Sequence, residues 1–431
     1  MLAAVPSARL LPGIVVLNYN YFPENSDSPA KVGATAFALS AVKVLEEFGL
    51  FRGIILYKRQ EGGERPNVSF CVRNSIICAT ISFNFEMKTG LLRNAIRTTS
   101  EMLSCNDAFL PMLYYQTDTL LQYHPDNLPL CVTHHGPFYQ DFRRQFSSEA
   151  ASSAFGSEQK AQHLDVQQQL GIQYLKSKDS FFVFQHSQIQ GDYLINSGVP
   201  AERIFPLCPP IHSMSLTGQP TTVPKPLKEA LSSSRTLLFT AVARLDYFKN
   251  VDLLVDSAIQ LLRQKHPLTV LIAGDDETDD SRRAKLFERI PISYRRFFYV
   301  VPKLQKTTLY WFFENARNNG LFVCPSRYET LGITPLEAGL CGVTTLIAKS
   351  ELVEAQRFFP GQYCFVPTVA QLVTAIKSFP KAHLCESGNG LRDHLEKNIS
   401  EHNFKKDFLH AWQACSQQVE RVSAHEKNFF Q

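Results

Sequence analysis

The sequence predicts an α/β protein of two doubly wound halves, each a mostly parallel sheet flanked by helices. Three observations lead there. The chain has 431 residues, more than a single hydrophobic core comfortably serves. In both halves short apolar runs alternate with longer segments of helical periodicity, the pattern of parallel strands joined by crossover helices. Between the halves, Pro206, Pro209, Pro210, Pro220, Pro224 and Pro226 crowd a stretch containing Ser, Thr and Gly. Fixed φ and missing N–H donors suit such a stretch to a linker and not to a core element.

In the first half the expected strands are Ile14–Leu17, Gly53–Tyr57, Phe109–Tyr114, Leu130–Thr133 and Phe181–Phe184. The segment Ala34–Phe48 reads as an amphipathic helix, because Phe37, Ala41, Val44, Leu45 and Phe48 fall near helical spacing. Ser69–Phe85 is rich in β-formers and fits a hairpin. In the second half the expected strands are Leu237–Val242, Thr269–Ala273, Phe297–Val301, Leu321–Cys324, Thr345–Ala348 and Tyr363–Val366. Helices are expected at Val251–Arg263, Lys306–Asn315 and Pro335–Leu340, with Lys405–Val422 as a closing helix. In sheets of this kind ligands bind beyond the strand C-termini.

Composition narrows the function. Hydrophobic residues make up 44% and charged residues 19%, which fits a folded globular chain and argues against extensive disorder. The 44 basic and 40 acidic residues leave a net charge of +4, too weak an excess to argue for nucleic acid. The 10 cysteines are scattered singly, with no CxxC pair, so zinc-site spacing is absent. Cys131 and Cys324 sit inside apolar runs, where a reduced Cys acts as a small core residue. A reducing, cytoplasmic setting is the expectation. Met1–Ile14 holds Pro6 and Pro12 and no sustained apolar stretch, unlike a signal peptide. No window approaches the roughly 18 apolar residues of a membrane span. The acidic run Gly274–Asp280 has carboxylates enough for Mg²⁺, but its place after a strand favours a solvated loop and no metal.

The strongest signal runs from Cys324 to Gly342. A strand leads into Pro325-Ser326-Arg327-Tyr328-Glu329, the chain turns at Gly332, and a helix begins with Pro335 in its first turn. Glu329 and Glu337 lie on either side of that turn. A carboxylate accepts hydrogen bonds from hydroxyls, and the amides of a helix N-terminus favour phosphate charge.

Here the sequence resembles the retaining GT-B glycosyltransferases of the glycogen-synthase and sucrose-synthase type, the family 4-like group 1 enzymes. Their signature P-S-x-x-E-x-x-G-x-x-x-x-E-A is matched at Pro325, Ser326, Glu329, Gly332, Glu337 and Ala338. In that family the first Glu contacts the donor sugar, the second binds the ribose, and amides beside the Gly cradle the diphosphate. The resemblance therefore implies donor binding by Glu329, Thr330, Leu331, Gly332 and Glu337.

Other matches are shorter. Ala241–Asn250 looks like the family's G-R-L-x-x-x-K-[GN] motif, with Ala243 where Gly is usual. It implies that Arg244 and Lys249 grip the donor diphosphate and offset the charge on the leaving nucleotide. Leu130–Gly136 ends in Thr-x-His-Gly and resembles the loop that places a His beside the sugar; His135 fits the register, with His134 as the alternative. The stretch Ala30–Thr35 keeps Gly33 of a Gly-rich turn near the phosphates, with Val32 at the usual second Gly. Phe184–Ile204 is similar to the family's stretch before the interdomain linker. Cys208-Pro209-Pro210-Ile211 follows it in place of the usual Asn-Gly turn.

The resemblance implies a GT-B fold, two Rossmann-like domains facing across a cleft. Residues 1–205 would form the acceptor domain, 206–230 a linker, 231–395 the nucleotide-sugar domain, and 396–431 a helix packing back toward the first domain. It implies transfer of a sugar with retained configuration from a UDP-, GDP- or ADP-sugar to an acceptor hydroxyl, without a cofactor. His135, Arg244, Lys249 and Glu329 would carry the reaction. Asn67–Thr99 and Gln140–Ser180 have no counterpart and lie in the half that should choose the acceptor. Two rivals share the architecture: a nucleotide-sugar epimerase, and a silent binding or partner protein that keeps the fold without turnover.

Overall fold

A computed structural model describes residues 10–23, 33–104, 110–178, 180–211, 220, 222–276, 278 and 280–429, without the side chains of 153 and 422–429. The chain divides into two compact units. The first comprises Met1–Gln145, Gln159–Pro210 and His402–Gln431; the second comprises Phe146–Glu158 and Ile211–Glu401.

The first unit runs β1 (Gly13–Asn18), α1 (Gly33–Glu47), β2 (Phe51–Arg59), β3 (Asn67–Arg73), β4 (Ile76–Phe83), α2 (Thr89–Leu103), β5 (Met112–Tyr115), β6 (Leu130–Val132) and α3 (Tyr139–Gln145). The chain then enters the second unit for α4 (Ser148–Phe155) and returns in α5 (Glu158–Lys176), β7 (Phe181–Gln185), α6 (Gln188–Asn196) and β8 (Ile204–Pro206). The sheet order is β3-β4-β2-β1-β5-β6-β7-β8. All neighbours are parallel except the β3–β4 hairpin, which stands where Ser69–Phe85 is β-rich. Central strands are buried on both faces, hence their unbroken apolar runs. The expected strand from Phe109 begins instead at Met112; Phe109 lies outside the described residues.

Sequence periodicity left α2 and α5 unassigned. Both are polar over much of their length and bury narrow stripes, Leu92 and Ile96 in one, Ile172 and Leu175 in the other.

The second unit begins with α7 (Lys225–Ser232) and runs β9 (Thr236–Ala241), α8 (Val251–Arg263), β10 (Leu268–Ala273), α9 (Ser281–Glu288), β11 (Phe298–Val301), α10 (Lys306–Ala316), β12 (Gly320–Cys324), α11 (Ile333–Leu340), β13 (Thr344–Ala348), β14 (Cys364–Phe365), α12 (Val369–Lys377) and α13 (Leu384–Asn398). The sheet order is β11-β10-β9-β12-β13-β14, parallel throughout. α7 occupies the end of the stretch expected to be linker. Pro226 sits in its first turn, where a missing N–H breaks no bond, and Leu227 and Ala230 are buried. Residues 212–219 and 221 of that stretch lie outside the described residues.

The last helix, α14 (Glu401–Phe429), belongs to the first unit from His402 onward. Phe404, Phe408, Ala411, Trp412 and Cys415 recur at helical spacing and join the core beneath β1 with Phe37, Ala41 and Leu45 of α1. Trp412 donates from Nε1 to the Leu11 carbonyl at 2.9 Å, and Ser416 Oγ accepts the Leu11 N–H at 3.1 Å. A Cβ on Gly13 would stand 2.8 Å from the indole, so glycine is what allows the ring in. Trp412→Ala should destabilise the first unit by roughly 3–5 kcal/mol, read as an earlier first transition in urea. An unchanged midpoint would contradict the helix's place in this core.

Candidate functional site

In the second sheet the strand order turns back between β9 and β12, which pair side by side although β10 and β11 intervene in sequence. At such a reversal the loops leaving the two strands diverge and open a crevice beyond their C-terminal ends. The loops are Val242–Asn250 and Pro325–Gly332, the two carrying the strongest motifs.

Each loop is tied to the other before any ligand is considered. Asn250, buried and at φ 49°, donates from Nδ2 to the Pro325 carbonyl at 3.0 Å. The Arg327 N–H donates to the Phe248 carbonyl at 2.7 Å. Asp246 caps the turn ahead of Lys249, accepting the N–H groups of Phe248 and Lys249 at 3.0 and 3.2 Å. Glu329 pairs its backbone with Val353 as an isolated bridge, with bonds of 2.8 and 3.0 Å to Leu352 and Glu354. Both loops are therefore held by contacts that leave the Lys249 ammonium and the Glu329 carboxylate to each other.

Lys249 Nζ meets Glu329 Oε1 at 2.6 Å. Ser326 Oγ donates to the same oxygen at 2.7 Å, and the Cys324 thiol donates to Ser326 at 3.6 Å. Burial alone would pull the Lys249 ammonium down, but the charge and hydrogen bond of Glu329 outweigh it and hold its pKa above the ordinary lysine value. Burial, then the Glu329 charge, pushes the Cys324 thiol up to about 11, so it stays a neutral donor. The result is a largely buried ion pair, with the acid already oriented by a hydroxyl.

Gly332 follows at φ 79°, and a Cβ there would lie 2.9 Å from the Ala355 Cβ. α11 starts at Ile333, two residues before the expected Pro335, with Gly332 at its N-cap. Leu331 is buried, and Thr330 and Gly332 are half-buried at the head of the helix. Glu337, one turn in, is buried; its Oε1 is held by Lys306 Nζ, and burial followed by the Glu337 charge pushes the neighbouring Tyr310 hydroxyl far above the ordinary range.

Arg244 is more exposed than Lys249. It pairs with Asp246 at 3.3 Å and donates to the Ala154 carbonyl at 3.4 Å. Ala154 belongs to α4, the early piece of chain that lies in the second unit. Phe146, just ahead of α4, sets its ring edge-on to Phe248, Tyr247 and Tyr328, with centroids 5.4, 6.3 and 6.1 Å away. These rings flank Lys249 and Glu329 in sequence.

The acidic run corrects one expectation. Asp276, Thr278 and Asp280 are exposed, but Asp275 is buried and accepts the Leu245 N–H on Oδ1 at 2.9 Å. It is a strut for the β9 loop and not a solvated residue. Among the described residues no group of three or more His, Cys, Asp or Glu is placed to hold a metal ion.

In the first unit the order reverses between β1 and β5. Gly33 opens α1 and is exposed, while residues 24–32 before it lie outside the described residues. His134 is buried, its Nδ1 against the Asp118 carboxylate and its ring 5.0 Å from Phe138. His135 is half-buried. Its Nε2 lies 2.8 Å from Gln116 Oε1, and its ring stands 5.1 Å from Phe37 and 5.2 Å from His186. Burial, then the neighbouring His186 and His134, pushes its pKa well below 6.5, so the ring is neutral at physiological pH. Of the two candidate histidines, His134 is packed and His135 is the accessible one. Gln116 Nε2 is buried with no hydrogen-bond partner among the described residues, a donor that a bound oxygen would satisfy.

The structure thus joins Lys249 to Glu329, sets Gly332 and Glu337 on the next helix, and stations Arg244 beside the same loop. Sequence reasoning missed Lys306, Gln116 and Phe146, which no local pattern distinguishes. Ser326 and Asp246 stood inside the quoted motifs, and Asp before a short turn is a recognisable cap.

The glycosyl transferases group 1 family model matches residues 227–402. A probable sucrose-phosphate synthase of Thermosipho melanesiensis is 22% identical over 194 residues, which are 44% of this chain and 42% of that protein. The chain's match therefore spans less than half the length of this curated relative. Among solved structures, the α,α-trehalose 6-phosphate synthase of Burkholderia multivorans has a TM-score of 0.62 at 12% identity, covering 95% of this chain and all of its own. Sucrose-phosphate synthase of Thermosynechococcus elongatus gives 0.59 at 16%, over 97% of this chain and 99% of its own. HepE of Anabaena, in complex with UDP-glucose, gives 0.61 at 13%, over 93% and 99%. These likenesses show the fold, GT-B, built from two Rossmann-like units. Among the described residues no helix is long and apolar enough to cross a membrane.

Gly332→Ala should cost roughly 1–3 kcal/mol, because both the positive φ and the Ala355 contact oppose a methyl group. A lowered melting temperature would be the readout, and an unchanged one would mean the turn is not held as described.

Proposed function

With residues 227–402 taken as a glycosyl transferases group 1 domain, we propose that the chain is a glycosyltransferase moving a sugar from a nucleoside-diphosphate donor to an acceptor hydroxyl with retention of configuration. The observation that carries this is the meeting of Lys249 and Glu329 at 2.6 Å where the second sheet reverses its order. A cation and a carboxylate at that point match the two ends of a nucleotide sugar, the anionic diphosphate and the sugar hydroxyls.

In the proposed complex the diphosphate takes the Lys249 ammonium and the amides at the head of α11, where the helix dipole favours negative charge. Arg244 adds a second cation by leaving the Ala154 carbonyl. Glu329, released from part of its lysine contact but still held by Ser326, accepts hydrogen bonds from the sugar. Glu337, braced by Lys306, receives the ribose hydroxyls. As the bond to the anomeric carbon breaks, charge grows on the departing phosphate, and the two cations stabilise it where it develops. That phosphate then takes the acceptor proton on the same face of the sugar. Neutral His135 serves as a hydrogen-bonding partner for a sugar hydroxyl. The reaction needs no cofactor beyond the donor itself. UDP-glucose is the first donor to try, because HepE of Anabaena, which shares the fold, was crystallised with it.

The test is a thermal-shift and donor-hydrolysis panel with UDP-, GDP- and ADP-sugars on the wild type, Glu329→Gln and Arg244→Ala. One nucleotide sugar should raise the melting temperature and be slowly hydrolysed. Hydrolysis should fall by about 100-fold or more in either variant. No stabilisation by any donor at millimolar concentration would overturn the transferase and favour a protein that keeps the fold without turnover.

A further inference from the structure

The loop between β6 and α3, His134–Tyr139, carries His135. Three of its carbonyls and two of its N–H groups are met by three glutamines from three different elements. Gln185, the last residue of β7, donates from Nε2 to the His134 carbonyl at 3.0 Å and accepts the His134 N–H on Oε1 at 3.4 Å. The same Nε2 donates to Gln190 Oε1 at 2.7 Å, and Gln190, on α6, donates onward to the Gly136 carbonyl. Gln168, on α5, closes the other end. Its Nε2 donates to the Pro137 carbonyl at 3.0 Å and its Oε1 accepts the Tyr139 N–H at 2.9 Å.

All three side chains are buried, with 4%, 1% and 3% of their surface exposed for Gln185, Gln190 and Gln168. Burying a carboxamide is unfavourable unless its donors and acceptor are matched. The same helices also dock on the core through Leu175 and Leu194, apolar contacts that do not themselves call for these three glutamines. What the three amides share is the loop. Four consecutive residues, His134 to Pro137, surround a single half-exposed imidazole, and their carbonyls at His134, Gly136 and Pro137 are each taken by a side-chain amide. At the far side of that imidazole, Gln116 Oε1 faces Nε2 at 2.8 Å, the contact made by a ring that carries its hydrogen on Nε2.

We propose that Gln185, Gln190 and Gln168 are positioning residues for His135: a buried carboxamide clamp on the loop backbone that fixes where the ring stands against Gln116 and which nitrogen bears its hydrogen. This deepens the proposed function and rests on it for the role of His135. The clamp itself has a signature that needs no substrate.

The experiment uses the full chain with ¹⁵N-labelled histidine, the His135 resonances being assigned with His135→Asn. The variants are Gln190→Met and Gln168→Met, which keep side-chain length and remove the amide at either end of the loop. In the wild type His135 should show a single tautomer with hydrogen on Nε2. In both variants the ring should lose that signature and become tautomer-averaged. In the donor assay of the previous section, kcat should fall by between about 10- and 100-fold while donor KM changes by less than about twofold, as expected when a reacting group is misplaced. Cooperatively folded variants whose His135 signals and kcat match the wild type would overturn the clamp, leaving the glutamines a role in stability alone. Failure of both variants to fold would overturn it equally. If Gln190→Met alone fails to fold, Gln168→Met decides. If the wild type turns over no donor, the transferase reading falls while the tautomer measurement still decides the clamp.

Discussion

The contact between Lys249 and Glu329 is the constraint around which the second unit is arranged. A parallel sheet that reverses its strand order leaves two loops side by side with no strand between them, and these two residues lie one on each loop. Opposite charges out of water tolerate poor geometry badly, since removing or displacing one partner leaves the other unpaired. The surrounding structure supplies that geometry. Asp246 shapes the turn before Lys249, Asn250 ties it to Pro325, the Arg327 N–H ties it to Phe248, and Ser326 fixes the oxygen that the lysine meets. Gly332 then lets the chain enter α11 at an angle that no side chain at its position would allow. A site built this way is preorganised by backbone contacts, which is the condition under which electrostatic stabilisation is most effective.

The first unit solves a related problem with neutral groups. Its loop after β6 lies among buried elements, where unpaired carbonyls are costly, and side-chain amides from β7, α5 and α6 pair with them. Beneath the same sheet, Trp412 of α14 fills the space left by Gly13 and satisfies the Leu11 carbonyl. The C-terminal helix is therefore part of the first core, although the chain has meanwhile built the whole of the second.

Much of this was legible in the sequence, and the exceptions have a common cause. Apolar runs located most of the parallel strands to within a few residues, because strands buried on both faces must be apolar throughout; the three-residue edge strand β8 was missed. The Glu329–Glu337 segment was legible because its constraints are local: a strand end, a turn that demands glycine, a helix start. Gln185, Gln190 and Gln168 were not, since a glutamine in a polar stretch looks like a surface residue until the loop it serves is folded beside it. Lys306 and Phe146 are similar: each acts on a partner far along the chain, Glu337 in one case and the rings around Tyr247 and Tyr328 in the other. Asp275 was misjudged because it turns inward while Asp276, Thr278 and Asp280 beside it are exposed. Helix α7 was hidden by prolines that suit a helix start as well as a linker.

The central claim is that the reversal between β9 and β12 is where a nucleoside diphosphate binds. A crystal structure of the full chain with UDP would test it most directly. The account predicts phosphate density within hydrogen-bonding distance of Lys249 Nζ and of the amides at Gly332 and Ile333, with the ribose against Glu337. Density for the nucleotide elsewhere, with the Lys249–Glu329 contact and the head of α11 unvisited, would contradict it.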